Sequence, residues 1–445
     1  MIGSDQYSWK ACRLPTVRIP PFELIPSFAI LTPDMPLEPE RAIADLKELR
    51  ALTSDANGAQ RVAWTDTWLK AREWFAQKLV GLAVEHHYDA ACNNWVTLPG
   101  QSEKSLLIGG HLDSVPNGGW LDGSLNVLTG LEILRRISAE FDGRPPVTVR
   151  LVDWADEEGA RFGRSLLGSS AFAGTASIAA DRVRPDRDGT RLEDALRRCG
   201  VEIDRFGEAT LEQKNAAAYI ELHIEQGPVL ERLGLPLATV LGTKGVERHA
   251  ITFHGQEAHS GSTPMNARRD ALAAAAKLAL EIRAIAGKHA DAVCTMGSLK
   301  TFPGIVTAVV GRCEATLDQR DLDPQVLASM FREAREASER FAREERCTVE
   351  WSRIWNIEPI AFHPALLDLC DQAIREVAQT THRMPSGPLH DAAEVSRAGI
   401  PTVMMFVQSL GGISHNKIED TREEHLEMAV TAFYRLASKT IAYLS

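Results

Sequence analysis

Four apolar segments of this 445-residue chain each end beside a potential metal ligand, and this repetition constrains the fold more than any other feature. Apolar runs of this length, bounded by turn residues, indicate buried β-strands. In open α/β sheets, ligands bind beyond the carboxyl ends of the strands. The pattern therefore predicts an α/β fold whose functional side chains meet at one edge of a sheet. The pairs are residues 106–108 with His111, 147–155 with Glu158, 217–222 with His223, and 401–407 with His415.

The stretch over residues 109–123 is the richest of the four, with one histidine, two aspartates and five glycines before a predicted amphipathic helix at 126–137. His111 and Asp122 offer the nitrogen and oxygen ligands that suit zinc, manganese or cobalt. Such a stretch, taken alone, is more often a plain polar loop. The next predicted strand ends in three consecutive acids, residues 156–158, and a divalent cation would turn their mutual repulsion into attraction. Together the two stretches favour a metal site.

Composition excludes several classes of function. The net charge of −11 argues against nucleic acid or an anionic membrane as the main partner. No apolar run is long enough for a transmembrane helix, and the first residues do not resemble a secretory signal. The seven cysteines show no CxxC spacing, so we expect reduced thiols in a cytoplasmic protein.

The order of predicted elements suggests an inserted domain. Residues 1–242 would form the first part of a catalytic domain, in which the Pro-rich residues 1–39 are an arm. Residues 243–355 read as a β-α-β-β-α run, which is typical of a separate α+β lid. Residues 356–445 would complete the catalytic domain. The expected fold class is therefore α/β, a catalytic domain with a mixed sheet and flanking helices plus the inserted lid.

The candidate donors are more numerous than one tetrahedral zinc requires and suit two metals that share a carboxylate. Two metals ~3.5–4 Å apart can hold a hydroxide between them and polarise a carbonyl. A carboxylate that is not a ligand must then take and return a proton, and the Glu157–Glu158 pair could supply one of each kind. The donors are His111, Asp122, Glu158, His223 and His415.

Six motifs, in order along the chain, resemble the M20 metallopeptidase family. Within it they are most similar to the amidase, hydantoinase and carbamoylase branch, which includes N-carbamoyl-L-amino-acid hydrolases, allantoate amidohydrolases and β-ureidopropionases. The resemblance implies a metal-dependent hydrolase of a linear ureido or amide C–N bond. The motifs are HLDSVPNGG (111–119), LDG (121–123), DEEGARFG (156–163), HIEQGPVLE (223–231), GQEAHSGSTPM (255–265) and GGISH (411–415).

The resemblance also implies how two divalent metal ions would be held, and zinc, manganese, cobalt and nickel all tolerate these donors. Asp122 would bridge the two ions. Glu158 and His415 would bind one ion, and His111 and His223 the other.

Three further residues would act in catalysis by resemblance. Asp113 would orient the first metal-binding histidine. Glu157 would be the general base and later the general acid. His259, in the inserted domain, would stabilise the oxyanion as a hydrogen-bond donor. That domain usually closes on the substrate and builds a homodimer, so we expect a homodimer here.

Substrate contacts can be assigned in the same way. Arg320 would grip the substrate carboxylate, and Gln226 would contact the carbamoyl or amide end. His390 matches a histidine that lines the site. Thr307 stands where the family usually has a longer asparagine that helps to bind the carboxylate. Two other positions depart from the branch, Trp120 and Leu389, and they indicate either a more apolar substrate or neutral drift.

Two other functions remain open at this point. An aminoacylase or dipeptidase-like member of the wider family is the first, and the motif at residues 223–227 weighs against it. A non-catalytic, metal-bound binding protein is the second. A lost base or ligand would favour that second reading, and none is lost in this sequence.

Overall fold

A computed structural model describes residues 36–445 of the chain. These residues fold into two compact units. The arm predicted over residues 1–39 lies outside the described residues up to residue 35, and Pro39 already begins the first helix. The first unit contains the chain up to Leu241, Phe362–Met384 and His390–Ser445, and the second contains Gly242–Ala361 and Pro385–Leu389.

The first half of the chain, up to Thr243, contains both helices and strands. In chain order they are α1 (Pro39–Thr53), β1 (Ser54–Asp55), β2 (Gly58–Ala59), α2 (Asp66–Gln77), β3 (Glu85–Tyr88), β4 (Asn94–Leu98), β5 (Ser102–His111), α3 (Ser124–Glu140), β6 (Val147–Trp154), α4 (Leu167–Ala173), α5 (Ile178–Asp181), α6 (Leu192–Arg198), a 3-10 helix (Ile203–Gln213), β7 (Ala216–Ile224), α7 (Val229–Leu233) and β8 (Leu237–Thr243).

The remaining elements complete both units. They are β9 (Gly245–His254), β10 (Ala258–His259), a 3-10 turn (Met265–Ala267), α8 (Ala271–Ala286), β11 (Val293–Phe302), β12 (Ala308–Val309), β13 (Arg312–Asp321), α9 (Pro324–Glu344), β14 (Thr348–Ile357), β15 (Ile360–Ala361), α10 (Pro364–Ala378), β16 (Arg383–Ser386), α11 (Asp391–Arg397), β17 (Thr402–Val407), a 3-10 turn (Leu410–Gly412) and α12 (Glu423–Leu444).

One mixed sheet organises the candidate site. Its order is β15-β8-β17-β7-β5-β6-β4-β3, and β16 pairs with β8. The four neighbours β17, β7, β5 and β6 run parallel, while β8, β4 and β3 run antiparallel to their partners. Parallel strands are buried on both faces, which explains their continuous apolar runs. The predicted fold class, a mixed sheet with flanking helices, is confirmed.

The helix after β5 is present as predicted and is more buried than its amphipathic pattern indicates. An amphipathic helix was expected at residues 126–137, but in α3 every residue from Ser124 to Leu134 is buried. The reason is that α1 and α12 pack against α3 in addition to the sheet strands β5, β6 and β7. The predicted helix is present, and its polar side is buried as well as its apolar side.

The second unit is built on an antiparallel sheet of order β11-β13-β9-β14, against which α8 and α9 pack. Its core includes Phe253, Leu278, Leu317 and Met330. Helix α8 begins at Ala271 because the side chain of Asp270 accepts from the amides of Leu272 and Ala273 and caps the helix there.

Two global observations concern the described residues. Between residues 36 and 445, no helix is long and apolar enough to cross a membrane. The six cysteines in this range are free thiols, and all except Cys294 are buried.

Candidate metal centre

The four parallel strands carry their candidate ligands to one edge of the sheet. His111 is the last residue of β5, and His223 is the next-to-last residue of β7. Glu158 follows β6, and His415 follows β17. Asp122 lies in the turn just before α3. All of them come from the first unit, so a single sheet edge brings together donors far apart in sequence.

Asp122 lies at the centre of this group, and its two carboxylate oxygens face different partners. Oδ1 lies 3.1 Å from His223 Nε2 and 3.5 Å from His111 Nε2. Oδ2 lies 3.4 Å from His415 Nε2, which is also 3.3 Å from Glu158 Oε2. Asp122 thus belongs to two groups of three residues, one with His111 and His223 and one with Glu158 and His415. In each group, one ligand atom per residue lies within 4.8 Å of the others. A carboxylate shared between two groups in this way can bridge two cations.

The hydrogen bonds of two histidines show that the residues fit metal ions. Nδ1 of His111 lies 3.1 Å from the carbonyl oxygen of Asp113, and Nδ1 of His223 lies 2.9 Å from that of Ile224. A neutral imidazole that donates from Nδ1 presents a lone pair at Nε2. Both Nε2 atoms face Asp122, and that of His111 is buried without a hydrogen-bond partner in the described part of the chain. Lone pairs aimed at a carboxylate suit a cation between them.

The acid loop after β6 is held by Asp113. Its Oδ1 accepts from the amide of Glu157 and its Oδ2 from the amide of Glu158, both at 3.2 Å. Asp113 Oδ1 also lies 3.5 Å from His111 Nδ1, farther than the residue's own carbonyl oxygen. Glu157 Oε2 lies 3.7 Å from His111 Nε2. The Asp113 carboxylate therefore holds the backbone of both glutamates and also faces His111.

Burial and neighbouring charges set the protonation of the centre. Burial, with Asp122 adding to it, raises the pKa of Glu158 to about 7, and burial raises the pKa of Glu157 well above its usual range. Burial opposes charge on Asp122 too, but His223 and the other imidazoles hold its pKa well below the usual range. The hydrogen bond to Asp122 raises the pKa of His415 to about 9. A bound cation would displace these protons.

Two predicted substrate residues also lie at this edge. The side-chain amide of Gln226 donates to Asp122 Oδ2 at 2.7 Å. The ring of His390 lies 4.3 Å from that of His223, and both are buried. His390, His223 and Glu221 form a further group of possible ligands that shares His223. Burial, with the nearby His223, keeps the pKa of His390 well below its usual range.

Sequence reasoning missed the residues that support the Asp122 turn. Glu419 is buried, and its Oε1 accepts from the amides of Leu121 and Asp122 at 3.0 and 3.1 Å. Ser414 donates to Asp122 and has a second contact with Glu419. A Cβ at Gly119 would lie 2.0 Å from the Glu419 carboxylate, so that glycine is required. In the sequence, only the pair Gly118–Gly119 indicates a close approach at this turn, and it does not reveal that Glu419 is the residue that approaches.

Three predicted residues belong to the second unit. His259 accepts at Nδ1 from the amides of Gly261 and Ser262, which leaves its Nε2–H as a donor. The carbonyl of Thr307 accepts from the amide of Ser260 in the same loop region. Arg320 lies on β13. Their roles toward a substrate stay predictions.

The departures from the branch can be placed as well. Trp120 is buried under the Arg50 guanidinium, 5.5 Å from the ring centre, and lines a cavity of about 280 Å³ formed with α1 and the β1–β2 turn. None of the residues around this cavity is a candidate metal ligand. Leu389 belongs to the second unit.

The fold and the centre define an α/β protein in which histidines and carboxylates from parallel strands converge on one site. A sequence model of peptidase family M20/M25/M40 matches residues 107–439, which is most of the chain. The chain belongs to this family. The resemblance inferred from the six motifs is confirmed.

The relatives narrow the comparison to one branch. The chain is 32% identical to an N-carbamoyl-L-amino acid amidohydrolase of Geobacillus stearothermophilus over 85% of this chain and 92% of that protein. It is 29% identical to the allantoate amidohydrolase of Escherichia coli over 86% of this chain and 94% of that protein. A crystal structure of a hydantoinase/carbamoylase-family amidase from Burkholderia multivorans is 30% identical, with a TM-score of 0.79, and the match covers 90% of this chain and 97% of that one.

Proposed function

We propose that this protein is a metal-dependent amidohydrolase that cleaves the C–N bond of a linear ureido group in a small substrate that also carries a carboxylate. The observation that carries the proposal is the division of Asp122 between two ligand groups, with Glu157 beside them. The names of the two relatives support the ureido bond as the target. Zinc, manganese, cobalt and nickel all suit these donors.

Two divalent ions would be held by this chain's own side chains. His111 and His223 would bind one, Glu158 and His415 would bind the other, and Asp122 would contact both. When bound, such ions polarise a carbonyl and make water nucleophilic at neutral pH.

Glu157 is then the proton carrier of the reaction. Its carboxylate takes a proton from the attacking water as oxygen adds to the ureido carbon. As the C–N bond breaks, the same proton passes to the leaving nitrogen. The burial that raises the pKa of Glu157 suits a group that must hold this proton between the two steps. Asp113 fixes its position through the backbone amide.

The remaining contacts of the proposal follow from the family resemblance. His259, whose Nε2–H is left as a donor, stabilises the negative charge that develops on the carbonyl oxygen. Arg320 binds the substrate carboxylate with its planar guanidinium, and Thr307 lies in the position of a further carboxylate contact. Gln226 and His390 line the ureido end. Pairing of two copies through the inserted domain into a homodimer is part of this proposal.

The test is product analysis with the purified protein reconstituted with Mn²⁺, Zn²⁺ or Co²⁺. We would offer allantoate, N-carbamoyl-β-alanine, N-carbamoyl-L-amino acids and N-acyl-L-amino acids, and measure free ammonia and free amine separately. Ammonia released from a ureido substrate is the expected result. Amine without ammonia, from acylated substrates alone, would overturn the ureido assignment and favour an aminoacylase. Metal binding without turnover of any of them would favour a binding protein.

A further inference from the structure

Trp64 and Asp156 are non-glycine residues at the acid loop that have left-handed backbone conformations. Trp64 precedes α2 with a φ of +64°, and Asp156 follows β6 with a φ of +59°. Such angles are uncommon for residues with a side chain and rarest for bulky ones. Strained residues persist only where their surroundings hold them, and they cluster at functional sites. Contacts with the surrounding residues therefore hold these two backbone conformations next to Glu157.

A buried hydrogen bond joins the two residues across 92 positions of sequence. Trp64 Nε1 donates to Asp156 Oδ2 at 2.6 Å, and the two residues are 4% and 0% exposed. The guanidinium of Arg161 donates to the carbonyl of Trp64, also at 2.6 Å. The start of the acid loop and its continuation are thus both tied to the same tryptophan.

The other side of the loop is equally restrained. The carbonyls of Asp156 and Glu157 accept from the amides of Leu167 and Leu166 at 3.1 and 2.7 Å. Asp113 accepts from the amide of Glu157. With these bonds in place, the direction in which the Glu157 side chain leaves the chain depends on the backbone angle of the residue before it. That residue is the one held by the indole.

We infer that Trp64 is a positioning residue for Glu157: its indole holds Asp156 in the left-handed conformation that points the Glu157 carboxylate at the ligand cluster. The inference rests on the proposed function, because it assumes that Glu157 carries the proton. Within residues 36–445, neither Trp64 nor the Asp156 side chain has a hydrogen bond to a candidate ligand, and both act through the backbone of Glu157.

A neighbouring tryptophan offers a matched control. Trp68 packs against Trp64 with ring centres 4.9 Å apart, belongs to the same hydrophobic cluster and is fully buried. Its Nε1 has no hydrogen-bond partner among the described residues. Replacing either tryptophan by phenylalanine keeps an aromatic ring in this cluster. Only the replacement of Trp64 removes a hydrogen bond to the acid loop.

The experiment compares Trp64→Phe with Trp68→Phe in the metal-loaded enzyme. We expect Trp64→Phe to lower kcat by about 10- to 100-fold, because small displacements of a reacting group have effects of this size. KM and metal content should stay close to wild type, and Trp68→Phe should keep kcat within about twofold of wild type at a similar melting temperature. Equal kcat for both variants would overturn the inference, as would a loss of activity that only follows a loss of metal.

Variants of Asp156 keep the test decisive if Trp64→Phe does not fold. Asp156→Gly adopts a positive φ without strain but lacks the acceptor, so it should lower kcat as Trp64→Phe does. Asp156→Asn tolerates the same φ and retains an acceptor oxygen, so this variant should keep most of the wild-type kcat. Wild-type kcat in Asp156→Gly would overturn the inference. If wild type itself hydrolyses no ureido or amide substrate, the proposed function fails instead, and the two failures are distinguishable.

Discussion

Asp122 shows at the scale of one residue how a single carboxylate can organise a site. Its Oδ1 faces His223 and His111, while its Oδ2 faces His415 and also accepts from Gln226 and Ser414. Among the described residues, Asp122 is the only acid that belongs both to the group with His111 and His223 and to the group with Glu158 and His415. Glu157, one position before a candidate ligand, is close to the same histidine but belongs to neither group.

The first prediction separates the two neighbouring glutamates. Glu157→Gln keeps the size of the side chain but cannot take a proton, so kcat should fall by about 10²- to 10⁴-fold while metal content stays at the wild-type value. Glu158→Gln should lose both metal and activity, because it removes a ligand. Steady-state kinetics and elemental analysis of the same samples measure both effects. Full activity of Glu157→Gln with metal retained would contradict the role of Glu157.

At the scale of elements, β13 and β9 place a charged cluster on the second unit. Asp318 and Arg248 are opposite residues of these antiparallel strands, and Arg248 Nε donates to Asp318 Oδ2 at 2.7 Å. Arg320 Nε donates to Asp318 Oδ1 at 2.8 Å, and its Nη1 lies 3.3 Å from the carbonyl of Gly387. Asp318 thus accepts from both Nε and Nη2 of Arg320, and one N–H on each terminal nitrogen is left for a carboxylate.

A second prediction tests this arrangement. Asp318→Asn weakens the contacts that orient Arg320, so KM for a carboxylate-bearing substrate should rise by about tenfold while kcat changes little. The control is Glu314→Gln on the same strand, an equivalent change at an acid that lies 3.7 Å from the exposed Arg312. A fall in kcat with an unchanged KM would contradict the positioning of Arg320 by Asp318.

The strand edge that carries the metal donors supports a third prediction, on pH. The pKa of His415 is raised to about 9 by its hydrogen bond to Asp122, and that of Glu158 to about 7 by burial. Both groups therefore hold protons that a cation must displace below these values. Apparent affinity for Zn²⁺, Mn²⁺ or Co²⁺ should fall as the pH falls from about 9 to 6. Titration of the metal-free protein at several pH values, with proton release measured in weak buffer, checks this. An affinity independent of pH would contradict it.

The fourth prediction concerns the reactivity of the cysteine thiols, which are distributed over both units of the molecule. Burial raises the pKa of Cys92 and of Cys370 to about 12. The reactive thiolate is therefore scarce below that pH, and alkylation by iodoacetamide at pH 8 should be far slower than for an exposed cysteine. Mass spectrometry locates the label, and protein unfolded in guanidinium, in which all seven cysteines should react, is the control. Rapid labelling of Cys92 in the folded protein would contradict this burial.

The fold class could be read from the sequence because each apolar run carries its own signal. The runs before His111 and Glu158 are strands β5 and β6, as their apolar residues predict. The burial of the polar side of α3 could not be predicted, because the helices that cover it, α1 and α12, lie far away in the chain. Periodicity reports one helix and its nearest environment; it does not report what packs on the other side.

The sequence by itself determined the family and the strand ends that carry the candidate ligands, because both depend on residue type and local spacing. It also supplied the proposed metal donors for the same reason. The tertiary structure decided which distant groups hold them. Glu419 reaches Leu121 across 298 positions, and Trp64 reaches Asp156 across 92. A single hydrogen bond between such separated residues leaves no periodic trace in the chain. It exists only after the sheet and its helices have packed, so only the folded molecule shows it.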